Sequence, residues 1–319
     1  MTVPDPVLRR LSQVEGLRVL PGAELRHHTR FRLGGPCLLL ADAATPLGFQ
    51  DAYKILASSN LRWTSIGAGT NLIVSDEGYH GAILRYSAAG IVADGQIVTV
   101  AAGADLNALI DFSNARALAG MESLAGIPGW AGAAIYGNAG AYGQSIHQRV
   151  ESVQFFDGEQ IRQWTGEECG FRYRHSRFKE HKGRQILSAK LKFEPGNREA
   201  QQEKSRQIRA ARDAKFPPEM ACAGSIFKNF LLHELPEKAR AAVPASKVIE
   251  GKVPAGWFLE AVGAKGMQAG GIKVADYHAN LIYNTGNGTT AELLTLLAEL
   301  KNRVNDQFNL SLEEEVQFL

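Results

Sequence analysis

Between Gly126 and Gly143 the chain reads GIPGWAGAAIYGNAGAYG, a stretch with six glycines and one proline. It is too rich in glycine for a regular helix and too interrupted for a long strand. Such a segment lets the backbone come close to a partner, with many N–H groups available to face it. A phosphate or pyrophosphate is the natural partner. The alternative is a buried turn whose small residues only permit tight packing. The stretch alone does not choose between the two.

At 319 residues the chain can bury more than one core, so two domains are expected. Residues 197–214 are polar, with charges of both signs, and Phe216-Pro217-Pro218 closes them; they read as a solvated connecting helix. The expected domains are 1–205 and 206–319. A net charge of +2 argues against a nucleic-acid-binding surface. Cys37, Cys169 and Cys222 lack metal-ligand spacing, and the eight histidines form no HExxH pair, so no metal site is expected. No N-terminal apolar run resembles a signal peptide, and no run of about 18 apolar residues would span a membrane. The expectation is a cytoplasmic protein with no membrane partner.

Taken in order, residues 1–25 read as a short amphipathic helix and a turn stopped by Pro21-Gly22. Cys37 to Ala41 reads as a buried strand, and Thr45-Pro46 as an N-cap followed by proline at the first helical position. Trp63 to Ile66 is a second strand that runs into Gly67-Ala68-Gly69-Thr70-Asn71-Leu72. That turn lacks the third glycine of a dinucleotide fingerprint, because Leu72 stands in its place. It remains a turn through which a phosphate can approach. Ala82 to Tyr86 completes a βαβ-like unit. Asp94-Gly95 and Asp157-Gly158 mark two hairpins, and Asp105 caps a helix reaching about Ala117. Phe171 to Lys179 is basic and aromatic, readable as an edge strand with solvated charges. Ala223 to Phe230 reads as a turn-rich helix region, and Asn280 to Asn284 as a strand. Thr289 and Glu292 form a capping box ahead of Leu293, Leu297, Leu300, Val304 and Phe308, a buried helical stripe. In the terminal strand, Glu314 must point opposite to Glu313 and Glu315.

Six of these segments, in this order, resemble the UDP-N-acetylenolpyruvoylglucosamine reductase family: Thr29 to Pro36, Gly67 to Asn71, Gly126 to Gly143, Tyr173 to Lys179, Gly224 to Asn229 and Leu312 to Val316. The resemblance covers the chain from about His28 to Leu319. It implies an α+β fold: a PCMH-type, vanillyl-alcohol-oxidase-like FAD-binding domain followed by a smaller α/β substrate-binding domain. It also implies FAD as cofactor, NADPH as hydride-donating co-substrate, and a UDP-sugar substrate. The reaction would reduce the enolpyruvyl ether of UDP-N-acetylglucosamine to UDP-N-acetylmuramate in peptidoglycan precursor synthesis. Two other readings stay open: a different FAD-dependent oxidoreductase of the same fold, and a non-catalytic UDP-sugar-binding protein. The oligomeric state is open, with a monomer compatible.

The resemblance also assigns residues. Gly67, Ala68, Gly69, Thr70 and Asn71, with Ile127, Pro128, Gly129, Gly132 and Ala133, would bracket the FAD pyrophosphate. Neither loop carries Lys or Arg, so backbone N–H groups would do most of this work. Asn138, Gly140 and Tyr142 would lie towards the isoalloxazine. Arg174 would clamp the substrate carboxylate, and Ser225 would give a proton to C2. Glu315 would be the second electrophile, which requires an inward-facing, proton-bearing carboxyl. Tyr173, Lys215 and Asn229 would contact substrate, together with either His278 or Asn280. Two residues depart from the family pattern: Phe230 stands where proline is usual, and Trp130 where a small residue is common.

Overall fold

The computed structural model describes residues 5–319 and divides into two compact units. The first holds the described residues up to Ala23, then Cys37–Ala68 and His80–Ala214. The second holds Glu24–Pro36, Gly69–Tyr79 and Lys215–Leu319. The division therefore falls at the end of the connecting helix, whereas a boundary after residue 205 cuts through it. Among the described residues no helix is long and apolar enough to cross a membrane.

The first unit carries helices α1 (Asp5–Ser12), α2 (Pro46–Ala57), α3 (Leu106–Ala115), α4 (Ala131–Tyr136), α5 (Arg177–Glu180) and α6 (Arg198–Lys215). The expected caps are present: Thr45 accepts the Gly48 N–H at 3.0 Å and Asp105 accepts the Ala108 N–H at 2.9 Å. One sheet has the order Leu17–Pro21, Cys37–Ala43, Tyr79–Tyr86, Trp63–Ser65. Its first pair is antiparallel and its last pair parallel. A five-stranded antiparallel sheet runs Ile161–Thr165, Val150–Phe156, Gln185–Lys192, Ile97–Ala101, Ile91–Asp94. Phe156 and Leu187 from the second sheet bury with Leu39, Phe49 and Leu84 in one cluster, so the two sheets share a core. The other face of the five-stranded sheet buries Val153 and Phe155 against Leu109, Ile110 and Ile135 of α3 and α4. Charged α6 attaches by polar contacts: Asn114 Nδ2 donates to Ser205 Oγ at 2.9 Å, and Gln201 Nε2 to Glu122 Oε1 at 3.1 Å.

The second unit has α7 (Glu237–Ala242), α8 (Ala255–Ala261) and α9 (Thr290–Phe308) beside an antiparallel sheet ordered Ala221–Ser225, His278–Asn284, Ile272–Ala275, Gln268–Ala269. The capping box at α9 is complete: the Thr289 side chain takes the Glu292 N–H, and Glu292 takes the Thr289 N–H. Leu293, Leu297, Leu300, Val304 and Phe308 are all buried, each contributing about 1.5–3 kcal/mol by burial.

Several local readings change: the Gly126–Gly143 stretch, read as too rich in glycine for a regular helix, holds α4, and the terminal strand is only Gln317–Phe318. Leu17–Pro21 is a strand, because it pairs with Cys37–Ala43, a partner outside its own sequence window. Ala221–Ser225 is also a strand rather than a helical region, because Asn284, Tyr283 and Leu281 supply its pairing. Phe171 to Lys179 is not an edge strand. It is a tight turn closed by reciprocal 3.1 Å bonds between Arg172 and His175, leading into α5.

Candidate functional site

In the first unit, the Gly126–Ala133 segment is held from below. Asn107 on α3 accepts the Gly126 N–H at 2.7 Å and donates to the Ile127 carbonyl at 2.9 Å. The Leu106 N–H donates to Gly129 O, while Ala131 and Gly132 donate to Ala104 O and Ala102 O at 2.8 Å each. Gly132 is required by space, since a Cβ there would stand 2.6 Å from the Ala102 Cβ.

These bonds correct the view of the whole loop as a row of free donors. The N–H groups of Gly126, Ile127, Ala131 and Gly132 already serve protein acceptors. Among the described residues, those of Gly129, Trp130 and Ala133 have no protein acceptor, nor do those of Gly67 and Ala68. Gly67 lies beside this group, because a Cβ placed on it would sit 3.4 Å from the Ala133 Cβ. Backbone donors without partners, beside a glycine that leaves the approach open, fit a diphosphate. The large Trp130 side chain is accommodated under the Arg85 guanidinium, 5.6 Å from the ring centre; Arg85 is itself paired with Asp42.

Beyond α4, Asn138 has φ +46° and is 3 % exposed. Its Nδ2 donates to the Arg172 carbonyl at 2.8 Å, and its Oδ1 faces His147 Nδ1 at 3.1 Å. Gly140 pairs with Ser145 in a small hairpin whose turn, Tyr142-Gly143, has φ +49° and +75°. Tyr142 is 63 % exposed at its tip. Arg174 occupies the outer corner of the Arg172–His175 turn at φ +54°, with its guanidinium 5.3 Å from the Tyr173 ring centre. Lys179 Nζ donates to the Arg174 carbonyl at 2.8 Å. Glu180 takes both flanks, Arg172 at 3.2 Å and His175 at 2.9 Å. The His175 hydrogen bond, more than either charge, holds the Glu180 carboxyl below the usual range.

In the second unit, the strand Ala221–Ser225 carries a bulge. Cys222 faces Tyr283 while Ser225 faces Leu281, so one extra residue lies between them, and Gly224 takes φ +78°. The bulge sets the direction in which Ser225 leaves the strand. The next residues are clamped on two sides. Ile226 N–H donates to Asn280 O at 3.1 Å, and Ile226 O accepts the Glu315 N–H at 2.7 Å. The Asn280 side chain binds both the N–H and the carbonyl of Phe227, at 2.9 and 2.8 Å. Ser225 and Glu315 are thereby brought to adjacent segments although far apart in sequence. Asn71 Nδ2 donates to the Glu315 carbonyl at 3.0 Å. Glu313 pairs with Lys228 and Glu314 with Lys301, while Glu315 is half-buried. Gly69 O accepts the Arg30 N–H at 3.1 Å, and Thr70 follows in the same loop of this unit.

Lys215 and His278 are also neighbours here. Burial pushes the His278 imidazole down to about 4, with the Lys215 charge as the next cause. Its Nδ1 accepts the Asn280 N–H at 3.1 Å, so the ring proton sits on Nε2. Asn229 Oδ1 accepts the N–H of Ala255, the first residue of α8, at 3.2 Å. Phe230 pairs with Val253 and meets Phe258 edge-on, so its bulk in place of proline goes into packing. Sequence reasoning missed Asn107 and Glu180, because neither carries a local signal for the carbonyls and cations it holds.

Known proteins define the class first. Residues 39–162 match the family described as FAD binding domain, so the chain is a flavoprotein of that fold, with the α+β content expected. Residues 216–319 match the C-terminal domain of UDP-N-acetylenolpyruvoylglucosamine reductase. A relative of that name from Solibacter usitatus is 51 % identical, over 97 % of this chain and 99 % of its own. One from Bacillus licheniformis is 32 % identical over 99 % and 98 %. The crystal structure of the Thermus caldophilus UDP-N-acetylenolpyruvylglucosamine reductase is 26 % identical, covers 95 % of this chain and 98 % of its own, and superposes with a TM-score of 0.72. The chain belongs to the UDP-N-acetylenolpyruvoylglucosamine reductase family.

Proposed function

We propose that this chain reduces the enolpyruvyl ether of UDP-N-acetylglucosamine to UDP-N-acetylmuramate, with NADPH as the source of hydride. Most of the FAD contacts come from the first unit and most of the UDP-sugar contacts from the second, with Tyr173 and Arg174 of the first unit also serving the substrate. When bound, FAD would supply two-electron hydride chemistry between NADPH and C3 of the enolpyruvyl group. The reaction belongs to peptidoglycan precursor synthesis, and its soluble nucleotide substrate suits a cytoplasmic enzyme.

The chain's own residues divide the remaining work. The N–H groups of Gly67, Ala68, Gly129, Trp130 and Ala133, which have no protein acceptor among the described residues, would hold the diphosphate of the cofactor. Arg174 holds the substrate carboxylate, where negative charge grows as hydride arrives; a planar, permanently charged guanidinium suits that task. Ser225 gives the proton to C2, and Glu315 stabilises the same charge from the adjacent segment. Lys215 and Asn229 meet the nucleotide end, and Tyr173 flanks the Arg174 clamp. Of His278 and Asn280, His278 is the substrate contact through its Nε2–H, since the amide of Asn280 is engaged by Phe227.

The observation that carries this reading is the pinning of Ser225–Phe227 between Asn280 and the Glu313–Glu315 segment. It supports pairing Ser225 with Glu315, because their backbone segments are bonded to each other in a chain that a relative named for this activity matches over 97 % of its length. Purified protein should be yellow, and NADPH should bleach it. A colourless protein that releases no flavin on denaturation, yet binds the UDP-sugar, would instead identify a binding protein.

A further inference from the structure

We propose that Asn138 is a positioning residue for Arg174: it holds the turn that presents the guanidinium, and its side chain does not serve the cofactor. Three observations converge on this. First, Asn138 ends α4 in the left-handed conformation, with its own N–H on Ile135 O and the Ala139 N–H on Ala134 O. Any residue that tolerates positive φ would stop the helix equally well, so this role leaves the choice of side chain open. Second, both ends of the amide are engaged in a buried setting. Nδ2 donates to Arg172 O, and Oδ1 faces the His147 N–H and ring at 3.4 and 3.1 Å. The Arg172 carbonyl accepts a second bond, from His175 N–H, and that bond closes the turn. Third, the turn holds Arg174 at φ +54°, a conformation that a non-glycine residue keeps only when its surroundings impose it.

The same turn is tied to α4 at a second point, where Ser176 Oγ donates to Tyr136 O at 2.7 Å. Lys179 secures the far side through the Arg174 carbonyl. The two ends of one six-residue helix thus carry the unpartnered N–H groups and the anchor of the Arg174 turn. Loss of the Asn138 amide frees the turn without disturbing the helix start.

The inference rests on Arg174 acting as the substrate clamp. The test compares Asn138→Gly, which keeps the left-handed backbone, with Arg174→Ala and with the double variant. FAD stoichiometry, flavin bleaching by NADPH and flavin reoxidation by the enolpyruvyl substrate are followed anaerobically, together with hydrogen exchange of the peptide spanning residues 171–177. Asn138→Gly should retain FAD and the bleaching rate within about twofold, raise exchange in that peptide, and slow reoxidation by about 10- to 100-fold. The double variant should be no slower than Arg174→Ala, since the two residues act as one unit. If Arg174→Ala reoxidises normally, the clamp reading fails and takes the inference with it. If Arg174→Ala is slow but Asn138→Gly is not, the inference alone fails. Loss of FAD from Asn138→Gly would return the residue to the cofactor site and overturn the proposal. Should Asn138→Gly not fold, Asn138→Asp tolerates the same backbone conformation and removes the donor to the Arg172 carbonyl. Its slowed reoxidation with FAD retained supports the proposal, and normal reoxidation overturns it.

Discussion

The same small substitution at two glycines of the proposed cofactor cradle should have opposite consequences. A Cβ at Gly132 would lie 2.6 Å from the Ala102 Cβ and 3.1 Å from the Ala102 carbonyl, which the Gly132 N–H already binds. Neither neighbour can swing aside, so Gly132→Ala must displace the start of α4 and should cost about 1–3 kcal/mol of stability. At Gly67 the nearest atom is the Ala133 Cβ at 3.4 Å, an ordinary contact. Gly67→Ala should therefore leave the apoprotein as stable as the wild type, or raise its stability by about 0.4–1 kcal/mol through the unfolded chain. Its cost appears only when FAD binds. On the proposed cradle the new methyl would stand in the path of the diphosphate, and losing a hydrogen bond to a charged group is worth about 1.5–3 kcal/mol. That corresponds to a dissociation constant about 10- to 150-fold weaker. Urea unfolding of the apoprotein gives the first quantity, and quenching of flavin fluorescence the second. Wild-type FAD affinity in Gly67→Ala would refute the cradle. A less stable apoprotein in Gly67→Ala than in Gly132→Ala would refute the packing argument.

Ser225→Ala should keep NADPH-dependent bleaching and slow reoxidation by about 10²–10⁴, the usual worth of a positioned proton donor; equal losses in both halves would make Ser225 structural. His278 sets an acid limit. Its folded value of about 4 lies below the ordinary 6.5, so the unfolded state binds the extra proton. The stability contribution is therefore complete above about 6.5 and is lost as pH falls towards about 4. The drop is worth at most about 3 kcal/mol, discounted to about 1–2 because the ring is partly exposed. In urea melts at both ends of that window, His278→Gln should lose less stability than the wild type; equal losses would contradict it. Thr289→Ala should cost about 1 kcal/mol in thermal unfolding, because it opens the capping box of α9.

Much of this architecture is legible in the sequence where the signal is local. Thr45, Asp105 and Thr289 each accept an N–H three residues ahead, as their positions imply. The stripe from Leu293 to Phe308 is buried as its spacing demands. What local pattern does not reveal is the identity of distant partners. Leu17–Pro21 and Ala221–Ser225 become strands only because a remote strand supplies their bonds. The same holds in the site. The glycines of the Gly126–Gly143 stretch are visible as a place for close approach. Which N–H groups remain available depends on the Ala102 and Ala104 carbonyls, and these no spacing rule connects to it. Asn280 reads as a polar residue near a substrate, yet its amide is spent on Phe227, far upstream in the chain.

The central claim is that this chain passes electrons from NADPH through FAD to an enolpyruvyl ether. Anaerobic stopped-flow spectroscopy of the flavin band tests it directly. The expected result is bleaching by NADPH, then return of the full band within one equivalent of the UDP-linked enolpyruvyl substrate, with no oxygen present. A flavin that NADPH bleaches, but that recovers its colour only when air is admitted, would contradict it.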